Sequence, residues 1–110
     1  MERFVKGEVV VLEFPYTDLS KTKKRPSLIV ADLKGDNIIL CQITGQPRPD
    51  PDLVKLEKND FQTGGLHRDS FIMPSFVFTI HKSKINYSAG KIKQAKIKEV
   101  EEKLCEIFTR

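Results

Sequence analysis

The first eighty-odd residues contain short β-branched and aromatic runs broken by proline, glycine and polar segments, with a helical period appearing only at the C-terminal end. Runs this short are strands rather than helices, because four to eight apolar residues cannot build the three turns that a packed helix needs. Val9-Val10-Val11-Leu12, bounded by Gly7 and Phe14-Pro15, opens the series. Pro26 holds Arg25 in an extended conformation, and Ser27 to Asp32 continues as a strand. Lys34-Gly35-Asp36-Asn37 supplies a turn, and Ile38 to Thr44 returns to complete a hairpin.

Three prolines between Gly45 and Pro51 exclude regular structure there, whereas Asp52 to Leu56 alternates as an edge strand does. A loop containing Thr63-Gly64-Gly65 is expected next, then a strand Ser70 to Met73 that resumes at Phe76 to Ile80 through a bend or bulge at Pro74. Lys84 to Tyr87 reads as a short last strand. From Ile92 the period changes: Ile97, Val100, Leu104, Ile107 and Phe108 recur at helical intervals between lysines and glutamates. The expected fold is mainly β with a C-terminal α-helix: a curled antiparallel sheet or small barrel with the helix packed on it.

With 110 residues there is room for one core, so residues 1–110 are read as a single domain. The apolar share of 39% and charged share of 31% are those of a folded globular chain. No segment has signal-peptide or membrane-span character, and Cys41 and Cys105 lie in different predicted elements, which suits two reduced thiols in the cytoplasm. His67 and His81, fourteen residues apart without neighbouring ligand spacing, read as surface residues, and no metal site or cofactor is expected. Phosphate-loop, dinucleotide-binding, HExxH and nucleophile-elbow motifs are missing.

A net charge of +4 attracts polyanions only moderately, but Lys21, Lys23, Lys24 and Arg25 concentrate it in and just after one polar stretch, Pro15 to Lys24, read as a long exposed loop. If the hairpin forms as expected, Arg25 and Thr44 flank its open end as neighbours. A planar guanidinium beside a hydroxyl suits a phosphate that gains charge in a transition state. On these residues alone the plainer reading, a surface arginine and a turn threonine, outweighs catalysis.

Gly7-Glu8-Val9-Val10-Val11 and Arg25-Pro26-Ser27-Leu28-Ile29-Val30 resemble the two opening strands of the MazF/PemK toxin family. Gln42-Ile43-Thr44-Gly45-Gln46 stands where that family has a strand commonly ending in Thr-Ser-Gln. Arg68-Asp69-Ser70-Phe71-Ile72 and Thr79-Ile80 are similar to its later Arg-Asp-Ser and Thr-Ile-Asp elements, so the resemblance runs from Gly7 to Phe108. It implies an SH3-like barrel, a homodimer and metal-independent, sequence-selective cleavage of single-stranded RNA, held in check by a cognate antitoxin. It assigns catalysis to Arg25 and Thr44, with Arg68, Asp69 and Ser70 as secondary candidates. Tyr16, Lys21, Lys23, Lys24 and Gln46 become candidate RNA contacts; His67 is a residue type that can serve as a base, although the motif does not require it. The chain departs from the family at Ser20 to Lys24, where relatives carry a Glu-Gln-Gly-Gly-like stretch, and at Gly45, Phe78 and His81. A gyrase-poisoning toxin of the same fold and a catalytically silent nucleic-acid-binding barrel are the rival readings.

Overall fold

The computed structural model describes residues 4–14 and 23–110. Their strands are β1 (Glu8–Phe14), β2 (Lys23–Asp32), β3 (Asn37–Thr44), β4 (Val54–Leu56), β5 (Phe61–Gly64), β6 (Ser70–His81) and β7 (Ile85–Ile92), followed by the helix α1 (Gln94–Thr109). All pair antiparallel in one sheet of order β4-β6-β3-β2-β1-β7-β5. β4 and β5 remain its two edges, so the sheet curls into a half-barrel.

Alternation along the central strands buries both faces. Val9, Leu28, Cys41, Ile43 and Ile72 pack on one side with Ile97 and Val100 of α1; Val10, Leu12, Ile29, Ile38 and Leu40 pack on the other with Phe4 and Phe14. The ring of Phe14 meets that of Phe78 edge-on, with centroids 5.2 Å apart. Each fully buried Val, Leu or Ile of this kind contributes about 1.5–3 kcal/mol. Strands with two apolar faces explain why β1 and the middle of β3 read as continuous apolar runs instead of clean alternation.

The helix settles where Gly7 lets it. Gly7 has φ 96°, a left-handed conformation, and a Cβ there would meet Ile97 Cδ1 at 2.7 Å. Both ends of α1 are tied to the β4 region: Lys96 Nζ donates to Lys55 O at 2.9 Å, and Arg110 Nη2 to Asp52 Oδ1 at 2.8 Å. Lys6 also contacts Glu101. No described helix is long and apolar enough to cross a membrane.

The hairpin, the edge position of β4 and the C-terminal helix agree with the sequence reading. The interruption at Pro74 is a bulge: Gln42 pairs with Met73 and Cys41 with Val77, leaving Pro74, Ser75 and Phe76 without a counterpart on β3. Three expectations need correction. Lys23 and Lys24 belong to β2, paired with Phe14 and Glu13, because β1 runs on to Phe14 and draws them into its ladder. The segment read as a loop before Gly65 contains β5, held by β7 through the pairs Phe61–Ile92 and Thr63–Lys91. β7 is correspondingly a full strand of 8 residues, bridging β1 and β5.

Candidate functional site

The β2–β3 ladder closes on the pair Ser27–Gln42, and two residues further along each strand stand Arg25 and Thr44. Arg25 pairs with Leu12 of β1 and Thr44 with Phe71 of β6, so a row of four strands ends here. Alternation puts Arg25 and Thr44 on one face, since each is two residues beyond a facing pair. The sequence expectation that these two fall together at the open end of the hairpin agrees with this register.

Their surroundings differ. Thr44 is only 4% exposed, and its Oγ1 accepts a hydrogen bond from Gln46 N at 3.2 Å. The hydroxyl proton has just a long 3.4 Å contact to Gln46 O, so Thr44 is fixed in place while keeping a proton to offer. Arg25 is half-buried and makes no ion pair with any described residue. Between it and the core, the Oγ of fully buried Ser27 has no hydrogen-bond partner.

The opposite face at the same strand ends forms a pocket of about 260 Å³. Lys24 and Pro26, on either side of Arg25, line it together with Val11, Gly45, Leu66, His67, Arg68, Ser70 and Tyr87. Val11 is the cross-strand partner of both Pro26 and Tyr87, so these three make a continuous row across β2, β1 and β7. Arg68 lies against Gly45, with Nε and Nη2 each 2.7 Å from where a Cβ would stand. Ser70, 4% exposed, donates from its Oγ to Arg68 O at 3.1 Å, tying down the backbone on which Arg68 is mounted.

Of the remaining predicted contacts, Gln46 is exposed beside Thr44, Asp69 is exposed next to the pocket, and Tyr16 and Lys21 lie outside the described residues. His67 is exposed, as expected for a surface histidine, but it also lines the pocket. His81 is committed elsewhere: its Nδ1 accepts from Ser83 N at 3.0 Å and caps the short turn after β6. The sequence reading singles out neither Tyr87 nor Leu66 as a site residue. The available signal was Tyr87 itself, a large aromatic in an otherwise polar stretch. Among the described residues no three His, Cys, Asp or Glu side chains gather as a metal site would require.

Comparison with known proteins gives the arrangement a context. No curated protein matches the chain. Among solved structures it superposes on a mycobacterial endoribonuclease in complex with its cognate antitoxin, at TM-score 0.76 and 17% identity, covering 97% of this chain and 96% of that one. It also superposes on MazF in the MazE–MazF complex from Deinococcus radiodurans, at TM-score 0.73 and 15% identity, with 98% and 97% coverage. For the Mycobacterium tuberculosis toxin MazF-mt6 the values are 0.72, 16%, 93% and 96%. At these identities the superpositions establish the fold. Residues 5–108 match the sequence model of the PemK-like, MazF-like toxins of type II toxin–antitoxin systems, and the chain belongs to that family.

Proposed function

We propose that this toxin is an endoribonuclease that cuts single-stranded RNA, messenger RNA first among the substrates, without a metal ion. The observation that carries the reading is the placement of Arg25 and Thr44 on one face at the open ends of β2 and β3. Its context is membership of a toxin family in which a similar structure is an endoribonuclease bound to its antitoxin.

RNA carries its own nucleophile. The 2′-oxygen attacks the adjacent phosphorus and gives up its proton to a base; the bond to the 5′-oxygen breaks as that oxygen takes up a proton. The products are a 2′,3′-cyclic phosphate and a 5′-hydroxyl. What the protein must supply is stabilisation of a crowded phosphorane bearing extra negative charge. Arg25, uncommitted to any described carboxylate, offers a permanently charged planar fork for that purpose, a group suited to electrostatics rather than to carrying the proton. Thr44, held by Gln46 N, directs a hydroxyl at a phosphate or ribose oxygen. The same reading includes a homodimer covering exposed apolar residues such as Val77 and Phe108, a cognate antitoxin as partner, and action in the cytoplasm.

The test incubates the protein and Arg25→Ala with varied single-stranded RNA in excess EDTA and maps the fragment ends. Discrete cuts with cyclic-phosphate ends, lost in the variant, support the proposal. Absence of cutting across all sequences overturns it, and a gyrase supercoiling assay then tests the protein-poisoning alternative.

A further inference from the structure

We propose that the pocket formed by Lys24, Pro26, Gly45, His67, Arg68 and Tyr87 is a subsite for one nucleotide of the RNA strand next to the scissile phosphate, and that it contributes to sequence selectivity. The proposal rests on the RNA-cleaving reading above and extends it to the other face of the same strand ends.

Position is the first reason. Lys24 and Pro26 are the immediate neighbours of Arg25, and Gly45 follows Thr44, so the catalytic candidates and the pocket are one residue apart on both strands. A polynucleotide crossing the ends of β2 and β3 touches both. Size is the second: about 260 Å³ falls just below the range of small-ligand clefts, on the scale of a single base rather than of several nucleotides.

Chemistry is the third. The row Pro26–Val11–Tyr87 makes an apolar floor, and Tyr87 is 50% exposed on it. An aromatic ring left half in water on a strand is a platform on which a base can stack. Lys24 and Arg68 line the pocket and form no ion pair with a described residue, a state they share with Lys23, Arg25 and other surface cations. Uncommitted cations beside an aromatic floor fit phosphate and base together; Asp69, next to Arg68 in sequence, is exposed and outside the pocket lining. The glycine at position 45 is what admits the Arg68 guanidinium, which gives the rim its donor plane.

The experiment titrates isotopically labelled protein with 2′-O-methyl RNA hexamers, one for each base, which bind but lack the attacking hydroxyl. Expected are amide shifts centred on Gly45, His67, Arg68 and Tyr87, with one base preferred. Tyr87→Ala should weaken binding roughly five- to a hundredfold, as loss of one stacked base does, while Tyr87→Phe keeps it. Should Tyr87→Ala fail to fold, Arg68→Gln at an exposed position serves instead, with the preferred base losing its advantage. If the wild type cuts RNA yet these amides stay still, the subsite is wrong and the nuclease reading stands. If they shift but nothing is cut, the nuclease reading falls and the subsite of a cleavage site falls with it, leaving a pocket that binds RNA without cutting it. Pocket shifts that follow protein dilution and ignore RNA would mark an interface between copies of the chain and overturn the proposal.

Discussion

Arg68 rests on Gly45 so closely that position 45 has no room for a side chain: a Cβ would stand 2.7 Å from both Nε and Nη2 of the guanidinium. The obstacle is the far end of a flexible side chain rather than backbone, so substitution moves the arginine without breaking the sheet. Gly45 is also one of the positions at which the sequence departs from the family pattern it otherwise resembles.

Gly45→Ala should therefore separate stability from selectivity. Its backbone is outside the left-handed region, so the change leaves stability level or raises it by up to about 1 kcal/mol through the unfolded chain. The preferred cleavage sequence, mapped by end-sequencing of RNA fragments, should change as Arg68 swings away. An unchanged preference would mean that Arg68 plays no part in reading RNA.

Thr44 gives a cleaner separation of hydroxyl from methyl. Thr44→Ser retains the acceptor for Gln46 N and the proton, and should retain most of the cleavage rate. Thr44→Ala loses both, at a cost of about 1 kcal/mol in stability and a far larger loss of cleavage. Denaturant melts beside single-turnover kinetics read the two effects apart; parallel losses would assign Thr44 a structural role only.

The link between the end of α1 and the segment before β4 should show in acid. The Arg110 guanidinium, hydrogen-bonded to Asp52 at 2.8 Å, holds that carboxyl below its ordinary 3.8, against burial, which pushes it up. With the folded value depressed, the pair's contribution is present above the unfolded value of 3.8 and disappears as pH falls from there through the folded value. Arg110→Ala should lose this part of the acid slope, and a carboxyl titration followed by nuclear magnetic resonance should find Asp52 moved upward. An unmoved titration would show that Lys103, 3.8 Å away, suffices.

The two cysteines should differ sharply toward a thiol reagent. Cys105 is exposed, whereas burial pushes the Cys41 thiol from 9.0 up to about 12. At pH 8 a disulfide reagent should label one thiol quickly and the second only after denaturation. Because the folded value is raised, the stability linked to Cys41 is intact below 9.0 and is lost as pH climbs toward about 12. Cys41→Ala should flatten that alkaline limb.

The hairpin from Pro26 to Thr44 and the amphipathic helix were legible because their signals are local. β-branched residues prefer the extended chain, Gly35 permits the turn at φ 96°, and Ile97 and Val100 recur on one helical face. The hairpin placed Arg25 and Thr44 at the same end on paper, but the pairing next to the turn, Asp32–Ile38, would set Arg25 opposite Gly45; the bulge between Ile29 and Ala31 shifts the register by one residue and brings Arg25 level with Thr44. β5 was not legible: Phe61-Gln62-Thr63-Gly64 has no alternating pattern, and its extended form depends on pairing with β7 some thirty residues away. Lys23 and Lys24 were assigned to a loop for the same reason, since their strand character comes from Phe14 and Glu13 opposite them.

Residue order alone thus settled the existence of the hairpin and of the C-terminal helix and the identity of the cationic and hydroxyl side chains, all of which depend on interactions within a few residues. The pocket had to wait for the fold. Tyr87 meets Val11 and Pro26 because β7, some sixty residues beyond Pro26 in the chain, pairs with β1, and Arg68 reaches Gly45 only after β6 has paired with β3. Such contacts arise from long-range strand pairing and burial, where no local periodicity carries the information.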